Sequence, residues 1–137
     1  MEHLLWRVRV SVLWLALAIG MSATMILVMV TPGNSLIAGE MEGAPITTEL
    51  LFLTSLFWLV PLGMSILTLA LEETAARWTN AVMALVATVL YVWDLTESLA
   101  GGASFSAEML MTVAAVVFAA LIGVHAWKWP VETGSTT

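Results

Sequence analysis

Two carboxylates stand three residues apart in the stretch YVWDLTESLAGG, where most neighbouring residues are apolar. Asp94 follows Tyr91 by three positions, and Glu97 follows Asp94 by three more. An ionisable group that faces the inside of a helix bundle in a membrane is a candidate for binding or proton chemistry. The same group at the membrane surface is simply hydrated. The elements that hold these two carboxylates decide between the alternatives.

The residues around Asp94 recur at spacings of three and four, which places them on one face of a helix. That stripe consists of Asn80, Ala84, Ala87, Tyr91, Asp94 and Ser98. A similar stripe in the preceding segment consists of Thr54, Trp58, Pro61, Ser65, Thr68 and Glu72. If both stripes face inward, they predict an outward-opening polar pocket for a small ligand or cation. Its candidate ligand-binding residues are Tyr91, Asp94, Ser98, Glu97 (on the flank of the stripe), Thr54 and Trp58.

Small and hydroxylated residues also let membrane helices approach closely, so such stripes usually form packing surfaces. Comparable series occur near both ends of the chain. The first apolar segment carries Ala16, Gly20 and Thr24, and the last carries Ala115, Ala119 and Gly123. The sequence alone therefore does not decide whether these stripes serve packing or ligand binding.

Composition places the chain in a membrane. Of its 137 residues, 61% are hydrophobic and 10% are charged, and the mean hydropathy is +0.99. Soluble domains carry about 25% charged residues. A net charge of −6 with four Lys and Arg argues against nucleic acid as a partner, because phosphate binding depends on basic side chains. The lipid bilayer is the expected partner.

Four apolar segments are each long enough to cross a bilayer as a helix, which needs about 20 residues. The sequence predicts an all-α, integral membrane four-helix bundle within a single domain, 1–130, and a disordered polar tail, 131–137. The predicted helices cover about 8–30, 49–71, 77–99 and 107–127. Because the first apolar run continues to Val30, it is expected to be a retained helix rather than a cleaved signal. Thr74 is the predicted N-cap of the third helix.

The cations fix the expected orientation. Arg7 and Arg9 precede the first helix, Arg77 stands between the second and third, and Lys128 follows the fourth. The positive-inside rule then puts both termini in the cytoplasm. The membrane is expected to be the inner (plasma) membrane of the cell. Four tryptophans fall at the same boundary, where indole rings favour headgroup depth. They are Trp6, Trp78, Trp127 and Trp129.

Reactive motifs are scarce. Without cysteine, thiol catalysis, disulfides and Cys-ligated metals are excluded. Neither G-x-S-x-G, H-E-x-x-H nor a phosphate-binding loop occurs in the chain. No metal site is predicted, since the carboxylates lack ligand spacing. His125 near the end of the last helix is interpreted as structural, with proton relay or quinone contact as the alternative. An enzyme is not expected, and no cofactor is indicated.

Three segments, WLVPLGMSILTLAL, ARWTNAVMALV and HAWKWP, resemble a family of uncharacterised bacterial four-helix membrane proteins that is similar to DoxX-like proteins. The resemblance implies the four-helix fold. Through the DoxX-like similarity it also implies a quinone-handling or oxidoreductase-associated role. The family carries an acid near the outer end of helix 1, where this chain reads IGMSATMILVM. No role of that acid is therefore transferred to this chain.

Three functions compete at this stage. The first is a non-enzymatic membrane protein with a polar ligand or cation pocket around Tyr91 and Asp94. The second is a structural or accessory subunit that acts through homo-oligomer contacts or a membrane-protein partner. The third is a DoxX-like protein that handles a quinone or another lipid-soluble substrate. A lipid-facing slot between helices, bounded by aromatic residues, would favour the third.

Overall fold

The computed structural model describes residues 2–30, 48–100 and 107–129, and these residues form four α-helices without any strand. We label them α1 (Glu2–Val30), α2 (Thr48–Ala70), α3 (Glu73–Ala100) and α4 (Ala107–Trp127). The all-α prediction is confirmed. Helix α1 begins earlier than predicted, at Glu2, because the helix continues through the polar residues that precede the apolar run. The predicted tail, 131–137, lies outside the described residues.

Three of the described helices are long and apolar enough to cross a membrane, at Leu4–Thr24, Glu73–Ala100 and Met109–Trp127. Helix α2 contributes a shorter apolar stretch, Trp58–Ala70. Length and composition thus support a helical membrane protein.

The turn between α2 and α3 is shorter than predicted. Only Leu71 and Glu72 separate the two helices, and the Ala76 amide donates to the Glu72 carbonyl at 2.7 Å. The prediction that Thr74 is the N-cap of α3 is wrong. This residue lies inside the first turn of α3, because the helical hydrogen bonds already start at the Glu72 carbonyl.

The helices pair as two antiparallel hairpins. In the first, the Ser11 hydroxyl of α1 donates to the Ser65 carbonyl of α2 at 2.7 Å. In the second, α3 and α4 share the most extensive interface of the bundle. The hairpins join through α1 and α4, where the rings of Trp6 and His125 lie 5.4 Å apart. The start of α1 and the end of α4 therefore lie at the same end of the bundle.

Helices α2 and α3 pack least, although they are consecutive. A short connection makes two helices neighbours in the chain, but it does not make them pack closely. Bulky side chains on both helices, including Val60 and Met83, line a space between them.

The core is centred on α1. Val10, Trp14 and Leu17 are at most 1% exposed and form the buried side of this helix. The predicted series of Ala16, Gly20 and Thr24 is not that side, since a Cβ placed on Gly20 would meet nothing within 4 Å. On α4 the predicted series is confirmed as a packing surface, with Ala115 and Ala119 buried.

Candidate functional site

A buried amide organises the inside of the bundle. Asn80 is fully buried, and its Oδ1 accepts a hydrogen bond from Trp14 Nε1 at 2.6 Å. Its Nδ2 donates to the Ala76 carbonyl at 2.7 Å. The Thr68 hydroxyl lies 2.9 Å from Asn80 Oδ1 and 2.6 Å from the Met64 carbonyl. Since a hydroxyl has one proton, it donates to one of these acceptors at a time.

We call Trp14, Thr68 and Asn80 the Asn80 hub. The three residues come from α1, α2 and α3, so the hub connects helices that belong to both hairpins. A polar side chain inside a membrane bundle needs such partners, because lipid offers none. The prediction that Asn80 faces inward is confirmed, and its role here is to fix the arrangement of the helices.

A cavity of about 260 Å³ lies between α2 and α3, and Trp14 of α1 also lines it. We call it the α2–α3 cavity. Its inner wall contains Trp14 and Tyr91, which are 0% and 6% exposed, together with the buried ring of Pro61. The remaining lining residues are Leu56, Val60, Met83, Val86, Ala87 and Leu90.

The cavity opens sideways. Leu56 and Val60 on α2 and Val86 and Leu90 on α3 line it and are themselves exposed, so they form two aliphatic lips. The wall is almost entirely apolar. Trp14 adds ring carbons to that wall, because its indole N–H is bonded to Asn80.

The structure separates the predicted site residues. Tyr91 alone among them lines the cavity. Glu97 is exposed, Ser98 is half-buried, and Trp58 is 40% exposed and outside the lining. Thr54 lies within α2, but its side chain is outside the described set.

Asp94 is exposed, so the expectation that it faces the bundle interior is wrong. Its Oδ2 accepts a hydrogen bond from the Thr112 hydroxyl of α4 at 3.4 Å. The α3 stripe therefore faces inward from Asn80 to Tyr91 and leaves the interior at the next turn. An ionised carboxylate is strongly stabilised by water, which favours this exposed position over burial.

The end of the bundle that carries Arg7 and Arg77, here called the cationic end, is closed by polar contacts between helices. The Arg7 guanidinium donates to the Leu69 carbonyl at 3.3 Å, and the Arg77 guanidinium donates to the Trp127 carbonyl at 3.3 Å. Both acceptors lie at the carboxyl end of a helix, where carbonyls lack helical partners and the helix dipole attracts cations.

Aromatic residues complete the cationic end. The Arg9 guanidinium carbon lies 5.8 Å from the centroid of the Trp6 ring, within cation–π range. Trp129 Nε1 donates to Glu73 Oε1 at 3.3 Å, and Trp129 is buried. Trp129 therefore connects the chain after α4 to the start of α3, whereas Trp78 and Trp127 are exposed. His125 Nδ1 lies 2.8 Å from the Leu121 carbonyl of its own helix.

Sequence reasoning missed Trp14, which contributes to both the hub and the cavity. Two signals point to it. It is a tryptophan in the middle of an aliphatic helix, away from the expected headgroup boundary. Asn80, on a predicted inward face, also requires a hydrogen-bond donor from another helix.

Within the residues that the structure describes, no group of three or more His, Cys, Asp or Glu side chains could hold a metal ion. The acidic side chains of Glu40, Glu42, Glu49 and Glu108 lie outside the described set. Comparison with protein-family models, curated proteins and solved structures yields no match to this chain.

Proposed function

We propose that this protein is a multi-pass inner-membrane protein that binds a small lipid-soluble molecule in the α2–α3 cavity. The single observation that carries the proposal is the apolar cavity, with aromatic rings on its inner wall and exposed aliphatic lips. Empty apolar space loses dispersion contacts that a ligand restores. Binding sites of this kind are concave and mostly apolar. The proposal requires no chemical reaction.

The volume sets the size of the ligand. A dry apolar cavity of about 150 Å³ is known to bind benzene. The α2–α3 cavity, at about 260 Å³, has room for two fused rings or a short stretch of hydrocarbon chain. Its lateral opening matches a ligand that is already concentrated in the bilayer.

A quinone or a related lipid-soluble substrate is the second candidate. The resemblance to DoxX-like proteins supports it. The aromatic side chains of Trp14 and Tyr91, which line the cavity, support it as well. A cation pocket at Asp94 has less support, because that carboxylate is exposed. Action as an accessory subunit through a second copy or another membrane protein stays a prediction.

The proposed topology has four crossings with both termini in the cytoplasm. Helix α2 has 23 residues, or about 34 Å at 1.5 Å per residue, enough to cross the hydrocarbon core. Arg7 and Arg77 both lie at the cationic end, which the positive-inside rule puts in the cytoplasm. A cytoplasm-specific reporter fused after Thr137 should be active. Activity of a periplasm-specific reporter instead would contradict this orientation.

Ligand binding is tested with naphthalene and purified protein in mild detergent. A ligand that binds only the folded state raises its stability by about 2.7 kcal/mol at 100 times the dissociation constant. Thermal unfolding is followed for the natural chain, for Ala87→Phe and for Ala120→Phe. Ala87 lines the cavity, so a phenyl ring there occupies the ligand's space. Ala120 is an exposed residue of α4 and provides the matched control.

We expect naphthalene to raise the unfolding temperature of the natural protein and of Ala120→Phe, and to leave that of Ala87→Phe unchanged. An equal increase in all three proteins would mean that naphthalene acts through the detergent. No increase in the natural protein would overturn the proposal.

A further inference from the structure

Tyr91 differs from every other buried polar side chain in the described part of the bundle. Ser65, Thr68 and Asn80 each have a hydrogen-bond partner, whereas the Tyr91 hydroxyl has none within the described residues. Those residues contain no fully inaccessible side-chain N or O atom that lacks a partner. The Tyr91 hydroxyl therefore retains some accessible surface, although the residue as a whole is 6% exposed.

The position of Tyr91 makes this free hydroxyl relevant to binding. Its side chain lines the α2–α3 cavity, and the other polar group on that wall, Trp14 Nε1, is already bonded to Asn80. A buried phenol normally finds a hydrogen-bond partner, because leaving one unpaired costs free energy. The partner missing from the protein is one that a ligand can supply.

We infer that the Tyr91 hydroxyl donates a hydrogen bond to an acceptor oxygen of the molecule in the cavity. The inference rests on the proposed function and narrows its ligand class. The expected ligand has a flat or flexible apolar body and a carbonyl or ether oxygen at one end. The apolar body occupies the space beside Trp14, and the oxygen lies beside Tyr91.

Charge complementarity indicates that this oxygen is neutral. Asp94 is one helical turn from Tyr91 and close enough to interact with it electrostatically. A second negative charge beside Asp94 would be repelled. Arg7 and Arg77 cannot compensate for it, since both bind helix carbonyls at the cationic end. A ketone, quinone or ether fits this environment, and a carboxylate or phosphate does not.

Two naphthalene derivatives with the same ring system test the inference. 2-Acetylnaphthalene carries a carbonyl acceptor, and 2-ethylnaphthalene replaces it with an apolar group of similar size. Their dissociation constants are measured by titrating thermal stability in detergent for the natural protein, Tyr91→Phe and Asp94→Asn. The ratio of the two constants is compared between proteins, because partitioning of each probe into detergent then cancels.

We expect Tyr91→Phe to weaken the binding of 2-acetylnaphthalene by about three- to tenfold relative to that of 2-ethylnaphthalene. This factor is the usual net contribution of one hydrogen bond. Binding of 2-ethylnaphthalene should stay the same. The variant should fold, since it removes no hydrogen bond within the described protein. Asp94→Asn should keep the ratio of the natural protein.

Two outcomes would overturn the inference. The first is an unchanged ratio in Tyr91→Phe, whether binding of both probes stays the same or weakens equally. The second is a ratio that changes as much in Asp94→Asn as in Tyr91→Phe, which would assign the effect to the carboxylate. In each case the cavity still binds, so the proposed function survives. If neither probe stabilises the natural protein, the proposed function fails as well.

Discussion

Helix α3 has two very different sides. Toward α4 it presents small residues, and a Cβ placed on Gly123 would lie 3.6 Å from the Ala84 Cβ, in ordinary van der Waals contact. Toward α2 it presents Met83, Val86 and Leu90, which line a cavity. Lipid provides little hydrophobic drive for helices to associate, so small residues that allow close approach decide where they pack. The size of the side chains thus sets which side of α3 is closed and which is open.

The largest expected effect comes from filling the closed side. Gly123→Leu adds four carbons where even the first lies 3.6 Å from Ala84, so α3 and α4 must separate. We expect a loss of about 3 kcal/mol in the free energy of unfolding, at the upper end for overpacking. Thermal or denaturant unfolding in detergent measures it. If Gly123→Leu costs no more than Gly123→Ala, the α3–α4 contact is looser than described.

The Asn80 hub should be the next most sensitive feature. Asn80→Leu keeps the branched arrangement of four side-chain heavy atoms but removes the acceptor of Trp14 Nε1, leaving a buried donor unpaired. We expect a loss of about 2 kcal/mol. Thr96→Val on the same helix is the control, because Thr96 is exposed and its hydroxyl bonds the Trp93 carbonyl within its own turn. Equal losses in both variants would show that the hub contributes nothing specific.

Pro61 offers a way to test what keeps the other side of α3 open. It is buried in α2 and lines the cavity, and a proline removes a helical hydrogen bond and crowds the carbonyl four residues earlier. Pro61→Ala should restore that hydrogen bond, remove the crowding and let α2 approach α3, which reduces the cavity. We expect naphthalene to bind about threefold more weakly, roughly 0.6 kcal/mol. Binding that is unchanged or tighter would show that the cavity does not depend on proline.

A small gain in stability, rather than a loss, is expected at a glycine away from both sides. A Cβ on Gly63 would meet nothing within 4 Å, so Gly63→Ala gains helix propensity without a clash. We expect a gain in stability of about 0.5–1 kcal/mol with unchanged naphthalene binding. A loss of stability would mean that another side chain or helix lies against Gly63, contrary to the open space described here.

The sequence predicts the helices well and the cavity poorly, for a physical reason. Long apolar runs can satisfy their backbone in lipid only as helices or barrels, so α3 and α4 follow directly from composition. The small series on α4 also predicts its packing surface correctly. The α2–α3 cavity depends instead on how far two helices diverge, which spacing along one helix does not encode. Asp94 was placed inward by periodicity alone, and solvation of its carboxylate overrides that pattern.

The two arginine contacts at the cationic end also constrain how the chain enters the membrane during synthesis. Arg7 emerges from the ribosome 62 residues before its acceptor, Leu69, and Arg77 emerges 50 residues before Trp127. In the proposed topology, each contact can form only after the second helix of its hairpin has crossed back. The guanidinium group that would keep the start of each hairpin in the cytoplasm would then also bind the end of its second helix. Insertion would accordingly be completed in pairs of helices, each hairpin being closed by the arginine at its start.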